Sequence, residues 1–135
     1  MKKNRKVLVM CTGNSCRSII GEALINHFLD DVKAYSCGVN PVGKVNENAK
    51  KILELHGINS SKYHSKHLDE VIDIDFDLVV TVCDGANESC PTFPKSVKKI
   101  HVGFSDPDGE DFEAFEITYK EIKKRLLKEV KYALG

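Results

Sequence analysis

The sequence predicts an α/β protein: a single domain with a four-stranded parallel sheet and helices on both faces. Short apolar runs rich in β-branched residues, typical of buried strands, alternate along the chain with longer segments whose apolar residues recur at helical spacing. Strands that alternate with helices in this way form parallel sheets covered by helices. The length of 135 residues suits one hydrophobic core, so we expect one domain over residues 1–135.

The elements predicted for the first half of the chain follow this hydrophobic pattern. They are a strand at 6–10, a helix at 19–28, a strand at 32–37 and a helix that follows Asn46 and runs to Leu55. Asn46 is the expected N-cap of this second helix, and His56-Gly57 marks its end. Three apolar residues of the helix are expected to face the core: Ala49, Ile52 and Leu53.

The second half of the chain contains two further predicted strands and a closing helix. The predicted elements are a short helix at 68–72, a strand at 76–82, a strand at 97–102 and a long amphipathic helix. The residues that mark the apolar face of this last helix are Phe115, Tyr119, Ile122, Leu126 and Val130.

Composition and charge exclude several classes of function. Lys plus Arg and Asp plus Glu number 20 each, so the formal net charge of zero predicts neither a nucleic-acid surface nor a membrane surface. The apolar run after the basic N-terminus is too short for a signal peptide or a membrane span. Five cysteines without a secretion signal indicate a cytoplasmic protein with free, redox-active thiols.

The loop between the first strand and the first helix has the composition of an oxyanion site. It reads Cys11-Thr12-Gly13-Asn14-Ser15-Cys16-Arg17-Ser18. A strand-to-helix junction directs backbone N–H groups and the positive end of the helix dipole at one point. The neighbouring Arg17 favours the thiolate of Cys11, and the Ser18 hydroxyl can donate to its sulfur. The loop therefore predicts a nucleophile and an oxyanion clamp together; nucleotide-binding patterns are absent.

A second pair of cysteines, Cys83 and Cys90, is separated by six residues of polar and turn-forming type. The five histidines are scattered, so a zinc site is not indicated. The two thiols can close to a disulfide if the segment between them bends, or they can remain unconnected. Ligands of parallel sheets bind beyond the carboxyl ends of the strands. Cys11, Cys83 and Asp106 each follow a predicted strand and are expected at one edge of the sheet.

With these motifs the sequence resembles the thioredoxin-coupled arsenate reductases, which share their fold with the low-molecular-weight protein tyrosine phosphatases. The resemblance covers nearly the whole chain. Besides the Cys11–Ser18 loop, the matching stretches are Tyr35–Gly38, Asp77–Cys83, Cys90-Pro91 and Gly103–Gly109.

The resemblance implies reduction of arsenate to arsenite by a three-cysteine relay. Cys11 attacks arsenic held by residues 12–18, Arg17 binds the oxyanion, and Asp106 protonates the departing oxygen. Cys83 then attacks Cys11, and Cys90 attacks Cys83. Thioredoxin recharges the enzyme, which implies no bound cofactor. Phosphate and sulfate are the expected competing oxyanions, and a monomer is expected.

Two other interpretations remain open. In a low-molecular-weight phosphatase, Cys11 forms a phosphocysteine that water hydrolyses, and neither Cys83 nor Cys90 is needed. Phosphatases of that family usually carry tyrosines after the Asp-Pro pair, whereas Asp108 and Gly109 follow it here. The third interpretation is an oxyanion-binding or redox-sensing module without catalysis, which leaves Asp106 without a role.

Some reductases of this type bind potassium beside the loop. The resemblance places such a site at residues matching Asn14, Glu22 and Ser36, which are all present. A further acidic ligand is replaced near Lys66 and His67, so the ligand set is incomplete. Two remaining cysteines receive no chemical role: Cys16, expected to pack, and Cys37.

Overall fold

A single parallel sheet forms the centre of the computed structural model, which describes residues 5–84 and 92–135. Its elements are β1 (Arg5–Cys11), α1 (Arg17–Phe28), β2 (Val32–Gly38), α2 (Glu47–Leu55), β3 (Leu78–Thr81), β4 (Lys99–His101) and α3 (Phe112–Leu134). The four strands are parallel and lie in the order β2-β1-β3-β4. The predicted fold class is confirmed. Within the described ranges, no helix is long and apolar enough to cross a membrane.

Alternate residues of β1 point to two hydrophobic clusters, one on each face of the sheet. Val7 and Val9 pack in the cluster that also holds the buried residues of α1, α2 and α3. Leu8 and Met10 pack in the other cluster, against a short 3₁₀ helix (Leu68–Glu70) and the chain that follows it. The three α-helices therefore cover one face, and the second face is covered by a single helical turn with its neighbouring segments.

The helix predicted at 68–72 is this single 3₁₀ turn. Its first residue is preceded by His67, whose Nδ1 accepts a hydrogen bond from the Asp69 backbone N–H at 3.0 Å. In return the Glu70 carboxylate accepts from the His67 N–H. This reciprocal capping satisfies the backbone groups of one turn, and the chain leaves the helix at Val71.

The α-helices follow the predicted pattern closely. The Asn46 side chain accepts hydrogen bonds from the first turn of α2, as expected of an N-cap. The three residues predicted to face the core from α2 are fully buried, and so are the five that mark the apolar face of α3. Hydrophobic spacing alone was sufficient to place these faces.

The strands β3 and β4 are shorter than the predicted runs at 76–82 and 97–102. At the first end of β3, the Asp77 carboxylate accepts from the Lys6 N–H at 2.8 Å, a side-chain contact outside the ladder. Beyond the other end, the Val82 N–H still donates to the Met10 carbonyl at 3.0 Å. This last bond holds the residue that follows, Cys83, at the carboxyl edge of the sheet beside the end of β1.

Candidate active site

The backbone of the loop between β1 and α1 is fixed from outside. The carbonyl oxygens of Thr12, Gly13 and Ser15 accept backbone hydrogen bonds from the segment 40–46 at 2.9 to 3.0 Å. In a trans peptide, a carbonyl oxygen and the amide hydrogen of the next residue point in opposite directions. Because these carbonyls point outward, the N–H groups that follow them point into the loop. The loop thus presents a ring of backbone N–H donors that point towards its centre.

The N-terminus of α1 lacks the side-chain cap that the other two α-helices have. Cys16 occupies the N-cap position without a side-chain hydrogen bond, and the first turn contains no acidic residue. In contrast, Asn46 caps α2 and Asp111 caps α3. The α1 N-terminus therefore keeps its positive dipole end and its N–H groups available for an anion.

Asn14 is the structural centre of the loop. Its φ of 49° lies in the left-handed region, which asparagine tolerates, and its side chain is fully buried. The Lys66 N–H donates to Asn14 Oδ1 at 2.8 Å, which fixes the orientation of the amide. Asn14 Nδ2 then donates to Ser18 Oγ at 2.8 Å and to Ser36 Oγ at 3.0 Å.

This orientation determines the hydrogen bond at the Cys11 sulfur. Cys11 Sγ lies 3.0 Å from Ser18 Oγ, and both side chains are buried. Because the Ser18 oxygen accepts from Asn14, its own hydrogen is left to donate to the sulfur. A donor aimed at the sulfur stabilises the thiolate, the reactive form of cysteine.

Arg17 and Asp106 meet at the mouth of the loop. The Arg17 side chain is only 4% exposed; it donates to the Phe104 carbonyl at 3.2 Å and lies 3.5 Å from Asp106 Oδ2. The Asp106 side chain is 48% exposed, and its other oxygen accepts from the Asp108 N–H at 3.0 Å. A half-exposed carboxyl group beside a bound anion can exchange protons with both the anion and water.

Loop, arginine and aspartate enclose one cavity of about 270 Å³. Its lining residues are Cys11 to Arg17, Asn40, Val42, Asp106 and Asp108. This volume suits a small tetrahedral oxyanion, since pockets for drug-sized ligands start at about 300 Å³. Every loop residue predicted to bind the oxyanion lines the cavity except Ser18, which contacts the sulfur instead.

Three lining residues were missed by sequence reasoning: Asn40, Val42 and Asp108. Asp108 is held in place by Asn46 Nδ2, which donates to its carboxylate at 2.8 Å. The two residues are 62 positions apart, and no local motif connects them. The spacing of residues in the sequence therefore could not predict the contact between Asn46 and Asp108.

Cys83 lies directly beyond β3, the neighbour of the strand that ends at Cys11. It is fully buried and belongs to the same hydrophobic cluster as Cys11. Cys83 is disulfide-bonded, whereas Cys11, Cys16 and Cys37 carry free thiols. It is absent from the described lining of the cavity, and Cys90 lies outside the described residues.

The two remaining thiols, Cys16 and Cys37, have pKa values that do not suit a nucleophile. Burial raises the pKa of Cys16 and of Cys37 to about 12 in each case, because the charged form loses its solvation. Both side chains are therefore neutral thiols near pH 7. The packing role of Cys16 and the absence of a chemical role for Cys37 stay predictions.

The residues that the resemblance assigns to potassium are in contact. Asn14 Nδ2 donates to Ser36 Oγ, which donates to the Glu22 carboxylate. The ammonium group of Lys66 lies beside them and donates to the Ser36 carbonyl at 3.0 Å. Over the ranges that the structure covers, no group of three or more His, Cys, Asp or Glu side chains could hold a metal ion.

A parallel four-stranded sheet with an oxyanion loop from Cys11 to Arg17 after its first strand is the arrangement expected of the low-molecular-weight phosphatase fold. The profile of the low molecular weight phosphotyrosine protein phosphatase family matches residues 6–133. The chain belongs to this family.

Comparison with individual relatives narrows the assignment within the family. Arsenate reductase 1 of Bacillus cereus is 39% identical over 129 residues, which are 95% of this chain and 96% of that protein. The crystal structure of arsenate reductase from Archaeoglobus fulgidus has a TM-score of 0.83 at 34% identity, over 93% of this chain and 98% of that one. A thioredoxin-dependent arsenate reductase of Corynebacterium glutamicum has a TM-score of 0.67 at 28% identity, over 97% of this chain and 64% of that one. The predicted resemblance to arsenate reductases is confirmed.

Proposed function

We propose that this protein reduces arsenate to arsenite with its own thiols and is recharged by thioredoxin. The observation that carries the proposal is the placement of the Cys11 sulfur, held by Ser18 in a small cavity whose walls are backbone donors and Arg17. The 39% identity to an arsenate reductase over nearly the whole chain supports arsenate as the oxyanion.

In the first step, the Cys11 thiolate attacks arsenic. A sulfur–arsenic bond forms, and one arsenic–oxygen bond breaks. Arg17 and the loop N–H groups stabilise the negative charge on the remaining oxygens. Asp106, which lines the same cavity, gives its proton to the departing oxygen, so that it leaves as water.

In the second step, the Cys83 thiolate attacks the Cys11 sulfur. A Cys11–Cys83 disulfide forms, the sulfur–arsenic bond breaks, and its electron pair stays on arsenic, which leaves as arsenite. Cys90 then attacks the Cys83 sulfur and releases Cys11 as a thiolate. A disulfide at Cys83 together with a free Cys11 thiol, as in the present structure, corresponds to the end of this relay.

Thioredoxin supplies the two electrons that reduce the final disulfide. The thioredoxin dependence of the Corynebacterium glutamicum relative supports this choice. No flavin, haem or nicotinamide needs to be bound, because thiols supply the two electrons that reduce arsenic and thiol–disulfide exchange replaces them. The cytoplasmic location, the monomeric state and the single domain over residues 1–135 stay predictions.

A phosphatase is the second candidate, favoured by the family to which the chain belongs. The same loop can form a phosphocysteine, so we expect slow hydrolysis of an activated aryl phosphate that requires Cys11 and Asp106 but not Cys90. Asp108, fixed by Asn46 at the rim of the cavity, stands where the phosphatases usually carry a tyrosine, so the rim lacks an aromatic side chain at this position to hold a phosphotyrosine ring.

The decisive assay is arsenate-dependent NADPH oxidation with thioredoxin and thioredoxin reductase, with arsenite measured as the product. Cys11→Ser should abolish it. Cys37→Ala is the matched control, since this buried thiol lies in the cluster on the other face of the sheet, and it should retain most of the activity. Phosphotyrosine hydrolysis as efficient as arsenate reduction, or no arsenite formation, would favour the phosphatase.

A further inference from the structure

Lys66 joins three parts of the chain that surround the oxyanion loop. Its backbone N–H binds the Asn14 side chain at 2.8 Å, and its carbonyl oxygen accepts from the Gly38 N–H at 2.9 Å. Its ammonium group donates to the carbonyl oxygens of Ser36 and His64, both at 3.0 Å. A long flexible side chain is thus held at both of its ends.

The ammonium group lies within the field of a buried carboxylate. Glu22 is only 8% exposed, and its carboxylate accepts a hydrogen bond from Ser36 Oγ. The ammonium group of Lys66 donates to the backbone carbonyl of the same Ser36, which places a positive charge near this carboxylate. Lys66 therefore stabilises Glu22 as the acceptor at the end of the Ser36 and Asn14 hydrogen bonds.

The residues present do not fit a potassium ion. Potassium needs several oxygen ligands directed at one point, and at this site an ammonium group is already bound to one of the oxygens, the Ser36 carbonyl. Asn14 Oδ1 accepts from the Lys66 N–H, the Ser36 carbonyl from its ammonium group, and the Glu22 carboxylate from Ser36 Oγ. A second cation beside the ammonium group would also be repelled by it.

We propose that the Lys66 side chain is a built-in cation that takes the place of potassium and keeps the oxyanion loop in its binding shape. Its effect reaches the reactive sulfur through Ser36, Asn14 and Ser18, so Lys66 is a positioning residue and does not touch the substrate. The inference rests on the proposed function only in that Cys11 is the reactive thiol.

Three variants test the proposal. Lys66→Met removes the charge and keeps the length of the side chain, whereas Lys66→Arg keeps the charge. Lys62→Met is the matched control, because Lys62 is an exposed lysine on the same segment. The readout is the rate at which iodoacetamide alkylates Cys11 across a pH series, measured in sodium and in potassium buffers of equal ionic strength.

We expect wild type and Lys62→Met to alkylate at the same rate in both buffers. Lys66→Met should alkylate Cys11 at least about threefold more slowly near pH 7, with its pH profile moved to higher pH, and Lys66→Arg should recover most of the rate. Faster alkylation of wild-type Cys11 in potassium than in sodium buffer would overturn the proposal. This comparison uses the wild type alone, so it does not depend on whether a variant folds. Equal rates for Lys66→Met and wild type would overturn it as well.

The outcome also separates this inference from the proposed function. If Cys11 of the wild type is no more reactive than Cys16 or Cys37, the proposed nucleophile is wrong and the relay with it. If Cys11 is reactive and Lys66→Met leaves its rate unchanged, only the role of Lys66 is wrong.

Discussion

Around Asn14, each hydrogen bond has a single direction because one backbone contact fixes the amide. Once Asn14 Nδ2 donates to both serines, Ser36 is left to donate to Glu22, and Ser18 is left to donate to Cys11. A buried hydrogen-bond network of this kind is stabilising only while each donor and acceptor keeps its partner. The chemistry of one sulfur therefore depends on side chains that do not contact it.

The first prediction concerns the relative reactivity of the cysteines. In the reduced protein near pH 7, Cys11 should be alkylated much faster than Cys16 or Cys37, whose raised pKa of about 12 leaves them as neutral thiols. Arsenate, phosphate or sulfate should protect Cys11 by filling the cavity. Mass-spectrometric mapping of iodoacetamide labelling measures this, with denatured protein as the control in which all thiols react alike. Uniform labelling of the folded protein without oxyanion protection would remove the basis of the mechanism.

The second prediction follows from the same burial and concerns alkaline pH. The pKa of Cys37 rises from 9.0 to about 12 on folding, so between these values the unfolded chain has lost a proton that the native state keeps. The free energy of unfolding should therefore be undiminished below pH 9 and should fall as the pH rises from 9 towards 12, by up to about 1.4 kcal/mol per pH unit for this group.

Cys37→Ala measures that contribution, because every other titrating group is common to both proteins. Urea unfolding under reducing conditions at several pH values should show a shallower alkaline decline for the variant than for the wild type. Parallel declines would mean that the native state does not raise the pKa of this thiol.

At the scale of the elements, the end of β2 is packed directly against the oxyanion loop. A Cβ atom on Gly38 would overlap the carbonyl oxygen of Thr12 and would lie 3.1 Å from the Asn14 backbone nitrogen. Neither side can move freely, since the Gly38 N–H is bonded to Lys66 and the Thr12 carbonyl to Asn40. Glycine is needed here for a close backbone approach, and its φ is not in the left-handed region.

The third prediction is that Gly38→Ala destabilises the protein by about 2 kcal/mol or more, since the overlap is with the backbone and cannot be relieved by a rotamer change. It should also weaken oxyanion binding, because the displaced carbonyl belongs to the loop. Thermal unfolding with and without sulfate measures both effects. Val39→Ala is the control, with a side chain 39% exposed, and should behave like the wild type. An unchanged melting temperature for Gly38→Ala would show that the loop can move aside.

For the whole molecule, the strand order brings the chemistry together. The strands β1 and β3 are neighbours in register, with Met10 opposite Thr81. Cys11 at the end of β1 and Cys83 beyond the end of β3 therefore lie at one edge of the sheet. The chain after β4 adds Phe104, whose carbonyl binds Arg17, and then Asp106. A site whose parts are distant in sequence is thus assembled by a parallel sheet.

Hydrophobic spacing and capping residues were sufficient to predict the order of elements, because burial of one face is a local property of the sequence. Element ends were less predictable, because side-chain hydrogen bonds of Asp77 and Glu70 occur at the beginnings of β3 and of the 3₁₀ helix. The motif from Cys11 to Ser18 identified the loop for the same local reason.

The supporting contacts could not be predicted in this way. Lys66 reaches Asn14 across 52 positions, and Asn46 reaches Asp108 across 62. Such contacts depend on how helices and strands pack after they have formed. Lysine and asparagine are also common at protein surfaces, so their presence in a sequence does not indicate a contact. Only the structure shows that the Lys66 backbone N–H and the Asn46 side chain hold the site.

The order of the thiol relay is tested most directly by trapping it in Cys90→Ser. This variant keeps Cys11 and Cys83, so one round of arsenate reduction should proceed and then stop. Acid quenching followed by peptide mapping under non-reducing conditions identifies the disulfide that is present. Wild type treated with arsenate but without thioredoxin is the control, and it should contain a Cys83–Cys90 disulfide with Cys11 free.

We expect Cys90→Ser to yield about one arsenite per protein molecule and to accumulate a Cys11–Cys83 disulfide, because each sulfur can be attacked only by the next thiol in the series. Many turnovers of Cys90→Ser with thioredoxin at the wild-type rate, without that trapped disulfide, would contradict the three-cysteine relay.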